Sequence, residues 1–136
     1  MLLKIIKNTE SAPNMGSRFG QDVEPKGTYV IEKTNDLPVK SPWIEGNAEI
    51  KKPLYIAVTD DTLVSWKYDL SNEYKAKGQK LTDKLMRKGY DAIITTHEDN
   101  STGEIILFQN SSFILNENKT LIKKLLRESL HEAVKK

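Results

Sequence analysis

The apolar residues of this chain fall into short runs with two different periods, and the periods predict its elements. Leu2 to Lys7 alternates weakly and is rich in Leu and Ile, which predicts a strand. Thr28 to Ile31 carries β-branched and aromatic residues and predicts a second. Asn47 to Ile50 and Leu54 to Val58 read as two more, interrupted at Pro53. Gly89 to Thr96 and Gly103 to Phe108 are apolar runs joined by the polar loop His97 to Thr102, the pattern of an antiparallel hairpin with a wide turn. Ser112 to Leu115 is a short candidate strand. The stretches Thr9–Gly27 and Asn35–Pro42 are polar, broken by Pro and Gly, and read as loops.

The period changes near Leu63. Trp66, Leu70 and Tyr74 recur every four residues, as on one face of a helix, and Gly78 ends that pattern. Gln79 to Lys88 is a second helix, with Leu81 and Leu85 one turn apart and Gly89 as its left-handed stop. The most amphipathic stretch lies at the C-terminus, over about 118–135. There Leu121, Ile122, Leu125, Leu126 and Leu130 share a face opposite Lys123, Lys124, Arg127 and Glu128. That face either packs on the sheet or meets a partner.

Composition narrows the chemistry. A chain of 136 residues suits one domain, 1–136, with one core. No run approaches the roughly 18 apolar residues of a membrane span, and the opening Met1–Lys7 is too short and too lysine-rich for a signal peptide. The expected compartment is the cytoplasm, with no membrane partner. Cysteine is absent, which removes disulfides, thiol catalysis and thiolate metal ligands. His97 and His131 lack a ligand spacing, so no metal site is expected. A net charge of +2 is too balanced for a dedicated nucleic-acid binder and leaves nucleic acid a disfavoured partner.

Glu104 is the acid that stands out. It opens an otherwise apolar strand, so its carboxylate is expected at a rim between strands, where burial of the charge is incomplete. Its reading as a solvated strand-end acid stays open beside a catalytic one. Tyr29 reads as a core side chain and Arg18 as a surface loop cation. Asp22 and Glu24 are candidates for setting the turn ahead of Pro25 and Gly27. Trp43, Trp66 and Tyr90 read as structural anchors.

An ordered set of blocks carries a resemblance. Ser17-Arg18-Phe19-Gly20-Gln21-Asp22-Val23-Glu24-Pro25-Lys26-Gly27-Thr28-Tyr29-Val30 is followed by Trp43, Gly46, Pro53-Leu54, Trp66-Lys67, Lys77-Gly78, Gly89-Tyr90-Asp91 and the strand Glu104–Leu107. In that order they resemble the small ADP-ribosyltransferase-like domains of phages and of the polyvalent proteins of mobile elements. The resemblance spans roughly Ser17 to Phe108. It implies an α+β fold of split antiparallel β-sheets gripping NAD, with a few helices and the amphipathic C-terminal helix appended.

It also implies roles. Glu104 matches the glutamate that holds the nicotinamide ribose and favours the oxocarbenium-like state as nicotinamide leaves. Tyr29 matches the aromatic that stacks on nicotinamide. Arg18 is placed to meet the pyrophosphate, and Gln21 and Asp22 to bond ribose or adenine. The family sets His or Arg, then Gly and a hydroxyl residue, at the end of the first strand. This chain has Lys7-Asn8-Thr9 there, leaving Lys7 and Asn8 as the ribose candidates. Two functions follow: a mono-ADP-ribosyltransferase that uses NAD as substrate to modify a host macromolecule, or an inactive module of the same fold that binds and inhibits a host protein such as a defence complex or the transcription machinery.

Overall fold

The computed structural model describes residues 1–10, 20–34, 40–63 and 65–116. The expected C-terminal helix and Arg18 lie outside them. The strands are β1 (Leu2–Asn8), β2 (Thr28–Glu32), β3 (Trp43–Glu49), β4 (Pro53–Ala57), β5 (Ala92–Thr96), β6 (Thr102–Leu107) and β7 (Ser112–Leu115). Two helices, α1 (Ser65–Tyr74) and α2 (Gln79–Arg87), stand between β4 and β5. The class is α+β, as expected. The strands form one mixed sheet in the order β4-β5-β6-β2-β1-β3-β7. All its neighbours are antiparallel except β4 and β5, which run parallel because the two helices carry the chain back between them.

Two features bend this sheet into halves. The first is the joint between β1 and β2, which pairs only Ile5 with Glu32 and Ile6 with Ile31. Beyond it Lys7 and Asn8 pair outward with β3, while Thr28 to Val30 pair outward with β6. The second is the short link from β3 to β4. Four Cα steps separate Glu49 from Pro53 and reach at most about 15 Å. In a flat sheet those strands would lie five spacings apart, roughly 24 Å. The sheet must therefore curl, bringing β1, β3 and β7 back across β5 and β6.

The curl creates the first core. Ile5, Val30, Ala48, Ile50, Ile105 and Leu107 are buried on the face turned away from the helices, with Leu3, Phe113 and Leu115 packed against them. Strand alternation sends the other set of side chains to the opposite face. There Ile93, Ile106 and Phe108 meet Trp66 and Leu70 of α1 and Leu81 and Leu85 of α2. Leu81 and Leu85 are fully buried, each contributing about 2 kcal/mol of apolar burial. Gly89, at φ 93°, takes the left-handed turn that stops α2.

Asp91 holds the curl shut. Its carboxylate accepts the backbone N–H groups of Lys51 at 2.7 Å and Lys52 at 3.0 Å, on the link from β3 to β4. Its own N–H donates to the Lys52 carbonyl at 3.0 Å. Hydrogen bonds to a charged acceptor are individually strong, and two converge here on a buried carboxylate. Asp91→Ala is expected to lower unfolding free energy by about 3 kcal/mol, and Asp91→Asn, which keeps one acceptor, by about half as much. Urea unfolding followed by tryptophan fluorescence checks this; equal losses for the two variants would contradict it.

Candidate functional site

Register places the two principal candidates on neighbouring strands, diagonal to one another. Ile31 pairs with Glu104 and Tyr29 with Ile106, so alternation points Tyr29, Ile31, Glu104 and Ile106 at the helix-bearing face. Glu104 is the third residue of β6 rather than the first of its strand. The strand starts earlier than its apolar run because Thr102 pairs with Thr96, and the Thr95 hydroxyl donates to the Glu104 carbonyl at 2.7 Å. The carboxylate is thus recessed along the sheet, though 42% of its side chain remains open.

A lysine from α1 closes over this pair. The Lys67 ammonium lies 2.9 Å from Glu24 Oε2 and 3.8 Å from Glu104 Oε1. It stands 5.4 Å from the centre of the Tyr29 ring and 5.7 Å from that of Trp66. Only 9% of the Lys67 side chain is exposed, so the charge is removed from water and compensated by carboxylates and π faces. The loop before β2 completes the enclosure. Gly20, at φ +70°, lies so close that a β-carbon there would come within 2.9 Å of Lys67 Cδ. The Tyr29 hydroxyl donates to the Pro25 carbonyl at 2.6 Å.

The electrostatics follow from this enclosure. Burial pushes the Tyr29 phenol far up, helped by the negative charges of Glu24 and Glu104, so it stays a neutral donor. Burial also pushes Glu104 above the usual carboxylate value of 4.5; Lys67 pulls it back down, and Glu24 adds to the rise. The result is a cation held between two acids and beside two aromatic faces.

The other candidates are dispersed. Asp22 accepts from the Tyr68 hydroxyl at 2.8 Å, which ties the loop to α1. Gln21 is half-buried in the same turn. Lys7 and Asn8 lie past the end of the β1–β2 joint. The Lys7 ammonium donates to the Asn8 carbonyl at 3.3 Å, and Asn8 Oδ1 accepts the Glu10 N–H at 2.9 Å. Trp66 is buried in the core, and Trp43 is half-buried at the start of β3. No group of His, Asp or Glu suited to a metal occurs among the described residues. A cleft of about 400 Å³ lies elsewhere, between β4 and α1.

Two site residues escaped the sequence reading. Glu24 was assigned to a turn, and Lys67 to a motif without a role. The signal for Lys67 was available: it occupies the buried arc of α1, three residues before Leu70 and seven before Tyr74, where the helical period calls for an apolar side chain.

Comparison of the chain with family models, with curated proteins and with solved structures gives no match.

Because the folded-state Glu104 binds its proton more tightly than the unfolded chain does, the folded state carries more protons above pH 4.5. Its contribution to stability is therefore fully present below that value and is lost as pH rises through the folded pKa. The stability of the wild type relative to Glu104→Gln should fall on going from about pH 4 to pH 8. Urea midpoints for both proteins across that range check it; a difference growing in favour of the wild type at higher pH would contradict it.

Proposed function

We propose that this chain is an NAD-using domain of the ADP-ribosyltransferase type, with Glu104 as its catalytic carboxylate and a host protein as its target. One observation carries the reading: Glu104 and Tyr29, on neighbouring strands, turn to the same face and converge on a single positive charge. The transferase reaction generates a positive charge of this kind. As the bond from the ribose C1′ to the nicotinamide nitrogen breaks, nicotinamide leaves with the electron pair and the ribose becomes cationic. The acceptor nucleophile then bonds to C1′ and gives up its proton. A fixed carboxylate lowers the energy of the cationic state. A carboxylate with a raised pKa is also suited to accept the nucleophile's proton.

The fit to NAD rests on the chain's own groups. Tyr29 supplies an aromatic face, and its hydroxyl is held by the Pro25 carbonyl, which fixes the ring. The parting of β1 from β2 beyond Ile6 and Ile31 leaves Asn8 across the split from Tyr29. In this reading Lys67 is the resident counter-ion that keeps Glu24 and Glu104 together until a cationic substrate competes for them.

The Lys67 position also favours a second reading. A lysine that satisfies both acids makes a structural ion-pair cluster, and the domain then acts as a binding module without turnover. Incubation with NAD labelled in its ADP-ribose moiety and a bacterial lysate separates the two. The transferase reading predicts labelled protein and a loss of about a hundredfold or more in rate for Glu104→Gln. Absence of label, or label unaffected by that substitution, leaves only the binding module.

A further inference from the structure

The cleft between β4 and α1 is lined by none of Glu24, Tyr29, Lys67 and Glu104 and shares only Trp66 with their cluster; its lining says what kind of ligand it takes. Four successive residues of β4 line it, Leu54, Tyr55, Ile56 and Ala57. Successive residues of a strand point to opposite faces, so a cavity over one face would touch only alternate ones. Contact with all four sets the cleft along the edge of the strand, beside its main chain.

That edge is the end of the sheet. β4 pairs only with β5 among the described residues. The Val58 N–H donates to the Thr96 carbonyl at 2.8 Å, toward β5. By alternation the main-chain groups of Leu54 and Ile56 also face β5, while those of Tyr55 and Ala57 face outward into the cleft. Pro53, which has no N–H, begins the strand and confines the pairing edge to the residues after it.

The opposite wall is one stripe of α1 and the turn before it: Thr62, Trp66, Asp69, Leu70 and Glu73. The spacing of three and four residues makes these a continuous helical ridge. Its inner members Trp66 and Leu70 are buried, and its outer members Asp69 and Glu73 are exposed. The groove therefore has a main-chain edge on one side, an apolar floor and an acidic rim on the other. Tyr74 and Tyr90 also line it, and the ammoniums of Lys88 and Lys52 stand 5.1 and 5.0 Å from the centres of those rings, so the acidic positions are those of the α1 rim.

We propose that this groove binds an extended basic peptide segment of a partner protein, which adds a strand to β4 and presents Lys or Arg side chains to Asp69 and Glu73. Edge pairing supplies affinity through main-chain hydrogen bonds, and the rim supplies selection by charge. The assignment does not depend on NAD chemistry.

The probe is a fluorescein-labelled peptide, Lys-Leu-Lys-Val-Lys-Leu, with two controls. One replaces its lysines by glutamate, and the other N-methylates alternate amides so that it keeps charge but cannot pair as a strand. Binding is read by anisotropy and by amide NMR shifts of the ¹⁵N-labelled protein. The expected result is saturable binding with the largest shifts at Tyr55 and Ala57. The glutamate and N-methyl controls and the Asp69→Lys, Glu73→Lys double variant should each weaken binding about tenfold or more. Both substituted residues are exposed, so the double variant keeps its fold. Equal binding of the N-methylated control, shifts centred away from β4, or no saturable binding would each overturn the proposal.

Discussion

The ammonium of Lys67 is the point at which three separate parts of the chain are joined. It arises on α1, it is neutralised by Glu24 from the loop before β2, and it reaches Glu104 on β6. Taking such a charge out of water costs several kcal/mol unless compensating groups surround it. Here the compensation comes from two carboxylates and the faces of Tyr29 and Trp66, each fixed by its own element. The loop, the sheet and the helix therefore have to meet in one arrangement for the charge to be tolerated. The proposed function rests on the same fact: a cluster that compensates one cation offers carboxylate and π face to another.

The curl of the sheet decides where chemistry can sit. Because the β3–β4 link is short and Asp91 pins it, the inner face is consumed by packing, and Glu104 and Tyr29 lie on the helix-bearing side. The β1–β2 joint is narrow for a related reason. Each strand finds its longer ladder with its outer neighbour, β3 for β1 and β6 for β2. The sheet thus parts close to Tyr29 and remains continuous at Ile5 and Ile6. At the far end of the sheet β4 has one partner only, which leaves a main-chain edge beside α1. No described helix is long and apolar enough to cross a membrane.

Much of the element list was legible because period and punctuation agreed. β2 runs Thr28–Glu32 against an expected Thr28–Ile31, α2 runs Gln79–Arg87 and stops at Gly89, and β7 occupies Ser112–Leu115 as its pattern implied. β3 was underestimated: it begins at Trp43, because pairing with β1 extends through Ile44 to Asn8–Trp43, where the sequence Trp-Ile-Glu-Gly has no clean alternation. Pro53 is the first residue of β4 and not a break, since the start of an edge strand tolerates a missing N–H. The expectation of antiparallel sheets had no means of detecting the parallel β4–β5 pair, which depends on how two helices return the chain. At the site, Glu104 and Tyr29 were singled out from the sequence, and the register sets them on adjacent strands with a shared face. Glu24 was not, because a contact across 43 residues leaves no trace in local pattern, and the period marks Lys67 only as a charge on the buried arc of α1 without naming its partners.

The account stands on that cluster being able to exchange its lysine for the nicotinamide end of NAD. Calorimetric titration of the wild type and of Glu104→Gln with NAD, and separately with ADP-ribose, is the most direct test. The account predicts that the wild type binds both, and that Glu104→Gln weakens NAD more than ADP-ribose, since both bring the ribose hydroxyls to the carboxylate but only NAD brings a positive ring. No heat from either ligand, or equal NAD affinity for the two proteins, would contradict it.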